Sequence, residues 1–534
     1  LAQRRRDPKF TAEEDGVLYP RAGTLGGCTA HNAMILMRPP PEDWDAIAAL
    51  TGDASWKAAA MQHWFRRLES CRHRPLLRLL SRLGIDPSRH GWDGWLPSER
   101  AAPLAVLRDL RLVHALAGSA LLAFAQGGRL WRHLRWLLRG RADPNDWRPL
   151  RARADGLIYT PLATDRHHRS GARERVLAVA ARHPDRLHVL LHALVTRVLL
   201  DSQQRAVGVE CQMGERLYRA DPNPAVAPGE RRCLRARREV ILAGGAFNTP
   251  QLLMLSGIGE AAELARHGIA CRVDLPGVGR NLQDRYEVGV VNRMGFPAWR
   301  VLRGARFRRG DRQWQRWERG QGMYVSNGAA IALTRRSTAA RRGPDLFFMA
   351  LLGEFRGYFP GYSRLIAERQ NCLTWAILKA HTANRAGRVR LASADPRDRP
   401  LVDFHYFEDG DDPGGSDLAA VVEAIRSVRR MTAPMLREGL IAAEELPGPD
   451  VQSDAELAGF VRDHAWGHHA SCSCAIGPRV QGGVLDSAFR VHGTSGLRVV
   501  DASVFPRIPG FFIACAVYMV AEKAAALLLR EAAP

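Results

Sequence analysis

At 534 residues, 46% hydrophobic and 25% charged, the chain is too long for one compact core and too apolar for a disordered or fibrous protein, so two domains with inserted segments are expected. Its formal charge of +22 would suit an anionic partner, yet all but four of the 77 basic residues are arginines spread along the whole length; this reads as coding bias, no nucleic-acid-binding signature accompanies it, and no nucleic-acid partner is expected. The nine cysteines are scattered, and the close pair Cys472 and Cys474 fits neither a zinc knuckle nor a disulfide framework, so no metal ligands are read and a reducing cytoplasm is the default.

The start of the chain has neither an initiator methionine nor the apolar core of a signal peptide, and a chain cut upstream is expected. In GTLGGCTAHNAMILM, Gly23, Gly26 and Gly27 permit a tight turn feeding a helix that should begin near Thr29, an arrangement suited to a phosphate. Residues 56–154 alternate Arg- and Leu-rich helical patches with Trp, and the amphipathic piece at 107–141 predicts a helical insertion or a lid. The apolar stretch 113–125 is too short for a bilayer and 508–529 contains Glu522 and Lys523, so no transmembrane segment is expected.

Three strands are predicted at LHVLLHALVTRVLLD, AVGVECQM and REVILAGGAF. The third passes through Gly244 and Gly245 into a helix with Pro250 near its first turn, the strand–glycine turn–helix unit of a nucleotide-binding sheet. Residues 286–464, with DLFFMALL and LTWAILKA, predict the substrate half. A short buried strand follows from Gly496 to Asp501, and a long helix closes the chain near Arg530.

Any one glycine turn is weak evidence, but the order of motifs is specific. YPRAGTLGGCTAHNAM, GGAFNTPQLLMLSGIG, GVGRNLQD, HHASCSCAIG, VLDSAFRVHGTSGLRVVDASVFP and a final helix with AEKAA resemble, in sequence order, the signatures of the glucose-methanol-choline (GMC) oxidoreductases, choline dehydrogenase and oxidase among them. The resemblance implies an α/β (α+β) fold. A Rossmann-like FAD-binding domain would be assembled from 1–55, 155–285 and 465–534, with 56–154 as a helical insertion or lid. Residues 286–464 would form a substrate-binding domain of antiparallel sheet and helices. It further implies FAD as cofactor and oxidation of the CH–OH group of a small alcohol, with hydride passing to flavin N5 and a quinone or oxygen as final acceptor. Thr24, Gly26, Gly27, Asn32 and Ala33 would lie beside the flavin and its pyrophosphate, Val195 would meet the adenine side through its backbone, and Asp501 and Ala502 would lie near the pyrophosphate and isoalloxazine.

Alcohol oxidation removes a hydroxyl proton together with the hydride, and a neutral imidazole is suited to take it. His469 matches the family's catalytic histidine. His468 precedes it and, on an extended segment, should point the other way. The position of a second polar group across the substrate is counted to Ala514, so with Phe511 and Phe512 nearby the pocket should be apolar. His31 has two readings, a covalent link to the flavin 8α-methyl or a hydrogen bond to a carbonyl. No GxGxxG precedes Gly23, and Gly257-Ile258-Gly259 follows a helix, which marks it as a decoy; the main pyrophosphate cradle is expected to be missing from the chain. The alternatives are an FAD-containing lyase or decarboxylase of the same family, or an inactive fragment.

Overall fold

A computed structural model describes residues 7–12, 15–100, 109–115, 118, 142–340, 343–407, 412 and 414–532. Most of the amphipathic piece at 107–141 and of the apolar stretch 113–125 therefore lies outside the described residues. Along the chain, the elements that matter for the site are α1 (Pro41–Thr51), α2 (Ala58–Leu68), β1 (Gly156–Ile158), α3 (Ala172–Arg182), β2 (Ala193–Leu200), β3 (Ala206–Met213), β4 (Glu230–Arg235), β5 (Val240–Leu242), α4 (Gly245–Leu255), β6 (Tyr286–Met294), β7 (Ala329–Arg335), β8 (Leu346–Leu352), β9 (Cys372–Lys379), α5 (Ser416–Arg437), β10 (Ile441–Leu446), α6 (Asp454–His464), β11 (Leu497–Val499) and α7 (Ala514–Ala532).

The sequence between 286 and 464 is rich in long apolar runs, and these form an antiparallel sheet in the order β10-β6-β9-β8-β7-β1. Its central strand β9 is buried at every position, because both faces are covered and alternation is no longer needed. Val290 pairs with Trp375 across β6 and β9, and both share a core with Val421, Val428 and Met431 of α5. The outermost strand, β1, comes from a segment expected in the cofactor half. Its Leu157 pairs with Leu333 of β7, so a short apolar triplet was recruited by the open sheet edge.

The other half is smaller in sheet and richer in loops. β2, β3 and β4 form an antiparallel meander in which Val209 of β3 pairs with Val198 on one side and Leu234 on the other. Strand β4 has no counterpart in the sequence reading: its ERRCLR is exposed throughout, so it carries no apolar alternation to reveal it. β5 pairs in parallel with β11, bringing Val240 opposite Leu497 and Leu242 opposite Val499, although 240 and 497 are far apart in sequence. Parallel pairing needs such a crossover. Around this pair, Trp44 of α1, Phe65 of α2, Leu253 of α4 and Val520 of α7 complete a second core. Helix α4 begins at Gly245, so Pro250 falls inside it and not in its first turn.

One expected helix is absent. The segment after Gly26 makes a single 3-10 turn, Gly27–Ala30, and then runs extended, with Leu36 N–H donating to the Pro161 carbonyl at 2.9 Å and Ala163 N–H to the Met34 carbonyl at 2.7 Å. Ile35, Leu36 and Met37 are all buried. A run of consecutive apolar residues suits a strand-like segment enclosed on all sides as well as it suits a helix, and here tertiary pairing decided. Among the described residues, no helix is long and apolar enough to cross a membrane.

Candidate functional site

The segment carrying the two histidines is laid alongside the start of β6. Gln283 and Ser471 exchange backbone hydrogen bonds at 3.0 Å, and Glu287 and Trp466 do so at 2.9 Å. Between these rungs, His469 N–H donates to Asp284 Oδ1 at 2.9 Å, and Arg285 N–H to the same oxygen at 2.7 Å. The Tyr19 hydroxyl donates to Asp284 Oδ2 and accepts from Ala470 N–H at 2.8 Å. A buried carboxylate thus fastens β6, the histidine segment and the N-terminal loop together. The crossing needs a glycine at 467, because a Cβ there would fall on the Asp284 carboxyl and the Tyr406 hydroxyl.

Neither histidine turns away from the other. Their rings lie 4.0 Å apart between centroids, and His468 Nδ1 and His469 Nδ1 stand 3.4 Å and 3.3 Å from Glu287 Oε1. The expected opposition fails because 467–470 is not a regular strand, so the alternation of a pleat does not apply. His469 is the more enclosed, its side chain 10% exposed against 26% for His468. Among the described residues, both Nδ1 atoms, Glu287 Oε1 and two nitrogens of the buried Arg285, Nε and Nη1, lack hydrogen-bond partners. Buried polar groups are ordinarily satisfied, so this cluster fits a place where a polar reactant binds.

Burial dominates the electrostatics here. Together with the charge of Arg21 it pushes His468 down to about 3, and together with His468 and Arg285 it holds His469 well below the usual histidine range. Burial, reinforced by Asp284, drives Glu287 well above the usual carboxylate range. The centre therefore holds neutral imidazoles beside a carboxyl that favours its proton.

The glycine loop approaches from the other side. Arg21 lays its guanidinium 4.6 Å from the Tyr19 ring centroid and donates to the His468 carbonyl at 3.3 Å. Gly26 adopts φ +89° and passes so close to α3 that a Cβ would sit 2.8 Å from the Arg173 backbone nitrogen. Gly27 also has positive φ. Asn32 Oδ1 accepts from Arg169 Nη1 at 2.7 Å and from Met34 N–H at 3.0 Å. Thr24, His31 and Ala33 are exposed.

Asp501 and Ala502 join this assembly. Asp501 Oδ2 accepts from Gly245 N–H at 2.9 Å and Thr249 Oγ1 at 2.6 Å, and Oδ1 accepts from Ser503 N–H at 2.7 Å. Cys472 N–H donates to the Ala502 carbonyl at 3.1 Å, and Ser473 Oγ to the Ala246 carbonyl at 2.6 Å. The motifs at 244–249, 469–474 and 501–503 are thereby one hydrogen-bonded unit. Val195 stands apart from it on β2, the edge strand of the meander.

Phe512 faces the His469 ring. The two rings meet edge to face with centroids 5.7 Å apart, and Phe512 packs in the same way on Phe347 of β8 at 5.0 Å. Ala514 is the first residue of α7, two positions beyond. The wall beside the imidazole is apolar and includes Phe512, one of the two phenylalanines noted in the sequence. Tyr19, Asp284, Arg285, Glu287 and Gly467 were not singled out by the sequence. Of these, Asp284 ends the GVGRNLQD element and so lay in plain view.

This is a mixed α/β chain in which a buried histidine–carboxylate centre joins an antiparallel-sheet half to a strand–glycine turn–helix half. It belongs to the GMC oxidoreductase family, which matches residues 145–287 and 383–521, as its motifs indicated. It is 30% identical to patulin synthase of Aspergillus clavatus over 95% of this chain and 78% of that protein. To the oxygen-dependent choline dehydrogenase of Brucella anthropi it is 29% identical, over 95% of this chain and 81% of that one. Formate oxidase of Aspergillus oryzae, in a variant made for its effect on FAD modification, shares the fold with a TM-score of 0.75 at 22% identity, covering 96% of this chain and 85% of that structure.

Proposed function

We propose that this protein is an FAD-dependent oxidoreductase that oxidises the CH–OH group of a small alcohol, with His469 taking the hydroxyl proton. The observation that carries this reading is the His469 imidazole, buried and kept neutral, its backbone fixed by Asp284 and its ring facing a phenylalanine wall. With the ring proton on Nδ1, facing Glu287, Nε2 would be the nitrogen that receives the hydroxyl proton. His468, more exposed and packed by Tyr358, serves as a neighbour that further disfavours a charge on His469.

The positive-φ turn at Gly26 and Gly27, together with Thr24, Asn32 and Ala33, would hold the cofactor's flavin and pyrophosphate, with Val195 on the adenine side. The partnerless polar atoms around His469 fit a reacting group in front of the flavin. Asp501 acts at one remove, because both of its oxygens are already engaged in holding Gly245, Thr249 and Ser503, so it shapes the path of Ala502. FAD, when bound, supplies the acceptor for the hydride leaving the hydroxyl-bearing carbon, and a quinone or oxygen takes the electrons on. His31, exposed on the glycine loop, would be the residue that carries a covalent tether to the flavin. Phe347, Phe511 and Phe512 favour an apolar alcohol.

The deciding experiment is anaerobic addition of a panel of primary and secondary alcohols to the FAD-loaded protein. Bleaching of the flavin absorbance is expected with at least one apolar alcohol. Flavin that stays oxidised with every alcohol, in protein that binds it stoichiometrically, sinks the proposal and favours a non-redox member of the family.

A further inference from the structure

A second buried polar centre lies away from the His469 unit and shares no residue with it. Cys71 ends the short strand Glu69–Cys71, His73 follows two residues on, His90 lies in the next loop, and Asp143 is 70 residues beyond His73. Glu69, Cys71, His90 and Asp143 are fully buried, and the His73 side chain is 4% exposed.

The orientation of the two imidazoles is the informative feature. His90 directs Nδ1 to Glu69 Oε2 at 2.8 Å, and His73 directs Nδ1 to the Ser98 carbonyl oxygen at 3.3 Å. Both Nε2 atoms are thereby turned toward one point, where they meet Asp143 Oδ2 at 3.2 Å and 3.1 Å. Cys71 Sγ stands beside the His73 ring, 3.7 Å from Nδ1 and 3.8 Å from Nε2, and donor atoms of Cys71, His73 and His90 lie within 4.8 Å of one another.

We infer that Cys71, His73, His90 and Asp143 form a structural site for a divalent transition-metal ion, with zinc the best fit to the donor set. Tetrahedral zinc with ordinary bond lengths spaces its nitrogen and oxygen donors ~3.3 Å apart and its nitrogen and sulfur donors ~3.6 Å apart. The two histidine–Asp143 spacings are close to the first, and the Cys71–His73 Nε2 spacing is close to the second. A histidine ligand characteristically gives its other ring nitrogen to a carboxylate or a carbonyl, the roles that Glu69 and Ser98 fill. The Glu69 carboxylate is itself anchored by Ser98 Oγ at 2.7 Å and Gly91 N–H at 3.0 Å. The ion would tie the strand at 69–71, the loop at 90 and the turn at 143 into one unit, and its ligand spacing matches no zinc signature legible in the sequence.

Metal analysis of protein purified without chelator tests this. About one zinc per chain is expected, and a chelator should remove it and lower the melting temperature, with added Zn2+ restoring both. Cobalt substitution should produce a thiolate-to-cobalt absorption that Cys71→Ser abolishes, and Cys71→Ser combined with His90→Asn should leave less than ~0.2 zinc per chain. Two results overturn the inference. One is less than ~0.1 zinc per chain both as isolated and after incubation with Zn2+, which leaves the cluster as an imidazolium–carboxylate network. The other is a full equivalent retained by the double variant, which moves the metal elsewhere, for instance to Glu287, His468 and His469. If the variants do not fold, the wild-type cobalt spectrum decides, and absence of the thiolate band refutes the site.

Discussion

Tyr19 and Asp284 are 265 residues apart, yet the tyrosine hydroxyl donates directly to the carboxylate whose other oxygen holds the backbone of His469. This pair locks the N-terminal loop, the start of β6 and the histidine segment in one place. The strength of the lock is open to mutation at its tightest crossing. Gly467→Ala puts a methyl group onto Asp284 and Tyr406, which must shift. Such overpacking typically costs about 1–3 kcal/mol. We expect lower thermal stability and a fall in kcat/KM, and a variant indistinguishable from wild type in both would contradict this crossing.

The two histidines should separate cleanly in kinetics. His469→Ala is expected to lower kcat/KM by about 10²–10⁴-fold, the usual contribution of a positioned general base. For His468→Ala a loss below about tenfold is expected. Steady-state assays on both variants decide the matter, and the reverse order of losses would transfer the proton to His468.

Stability should depend on pH through the same pair. An unfolded histidine titrates near 6.5, whereas in the folded chain His468 is pushed down to about 3 by burial and then by Arg21, and His469 is lowered too. Between those values the unfolded chain carries protons that the folded one does not, so folding is disfavoured there. The contribution is fully present above about pH 6.5 and declines as the pH falls toward about 3. Denaturation curves at several pH values should show a shallower acid loss in His468→Gln than in wild type; equal slopes would contradict the desolvated pair.

His31 can be tested by chemistry alone. Acid precipitation of the FAD-loaded protein should leave flavin fluorescence on the protein band, and His31→Ala should release it to the supernatant. Free flavin from the wild type would reject the tether.

Phe512 should govern what the pocket accepts. Phe512→Ala removes the ring facing His469 and is expected to raise KM for apolar alcohols, at a stability cost of about 3–5 kcal/mol if the cavity does not collapse. An unchanged preference between apolar and polar alcohols would place the substrate elsewhere.

Much of this protein was legible in its sequence. The family could be read from short motifs because each is a stretch of consecutive residues whose local geometry, such as the positive φ at Gly26 or the passage from β5 through Gly244 into α4, is set by neighbours in the chain. The long strands β8 and β9 announced themselves through apolar runs for the same reason. What did not show was what faces what. The run from Ile35 to Met37 reads equally as helix or as enclosed strand until Pro161 and Ala163 pair with its neighbours. Counting along the chain gave Ala514 as the missing polar partner, but the ring that packs on His469, Phe512, could be identified only in three dimensions. His468 was assigned the far side of a pleat that the backbone does not make. Glu287 and the cluster of Cys71, His73, His90 and Asp143 lie in no motif, and Asp284, though it ends one, shows its role only once its partners arrive from distant segments. The sequence by itself determined the family, the order of elements and the identity of the histidine segment, all of which depend on local chain geometry. The tertiary structure alone decided the anchoring of His469, its apolar wall and the second buried centre, because these arise only when segments tens to hundreds of residues apart are brought into contact.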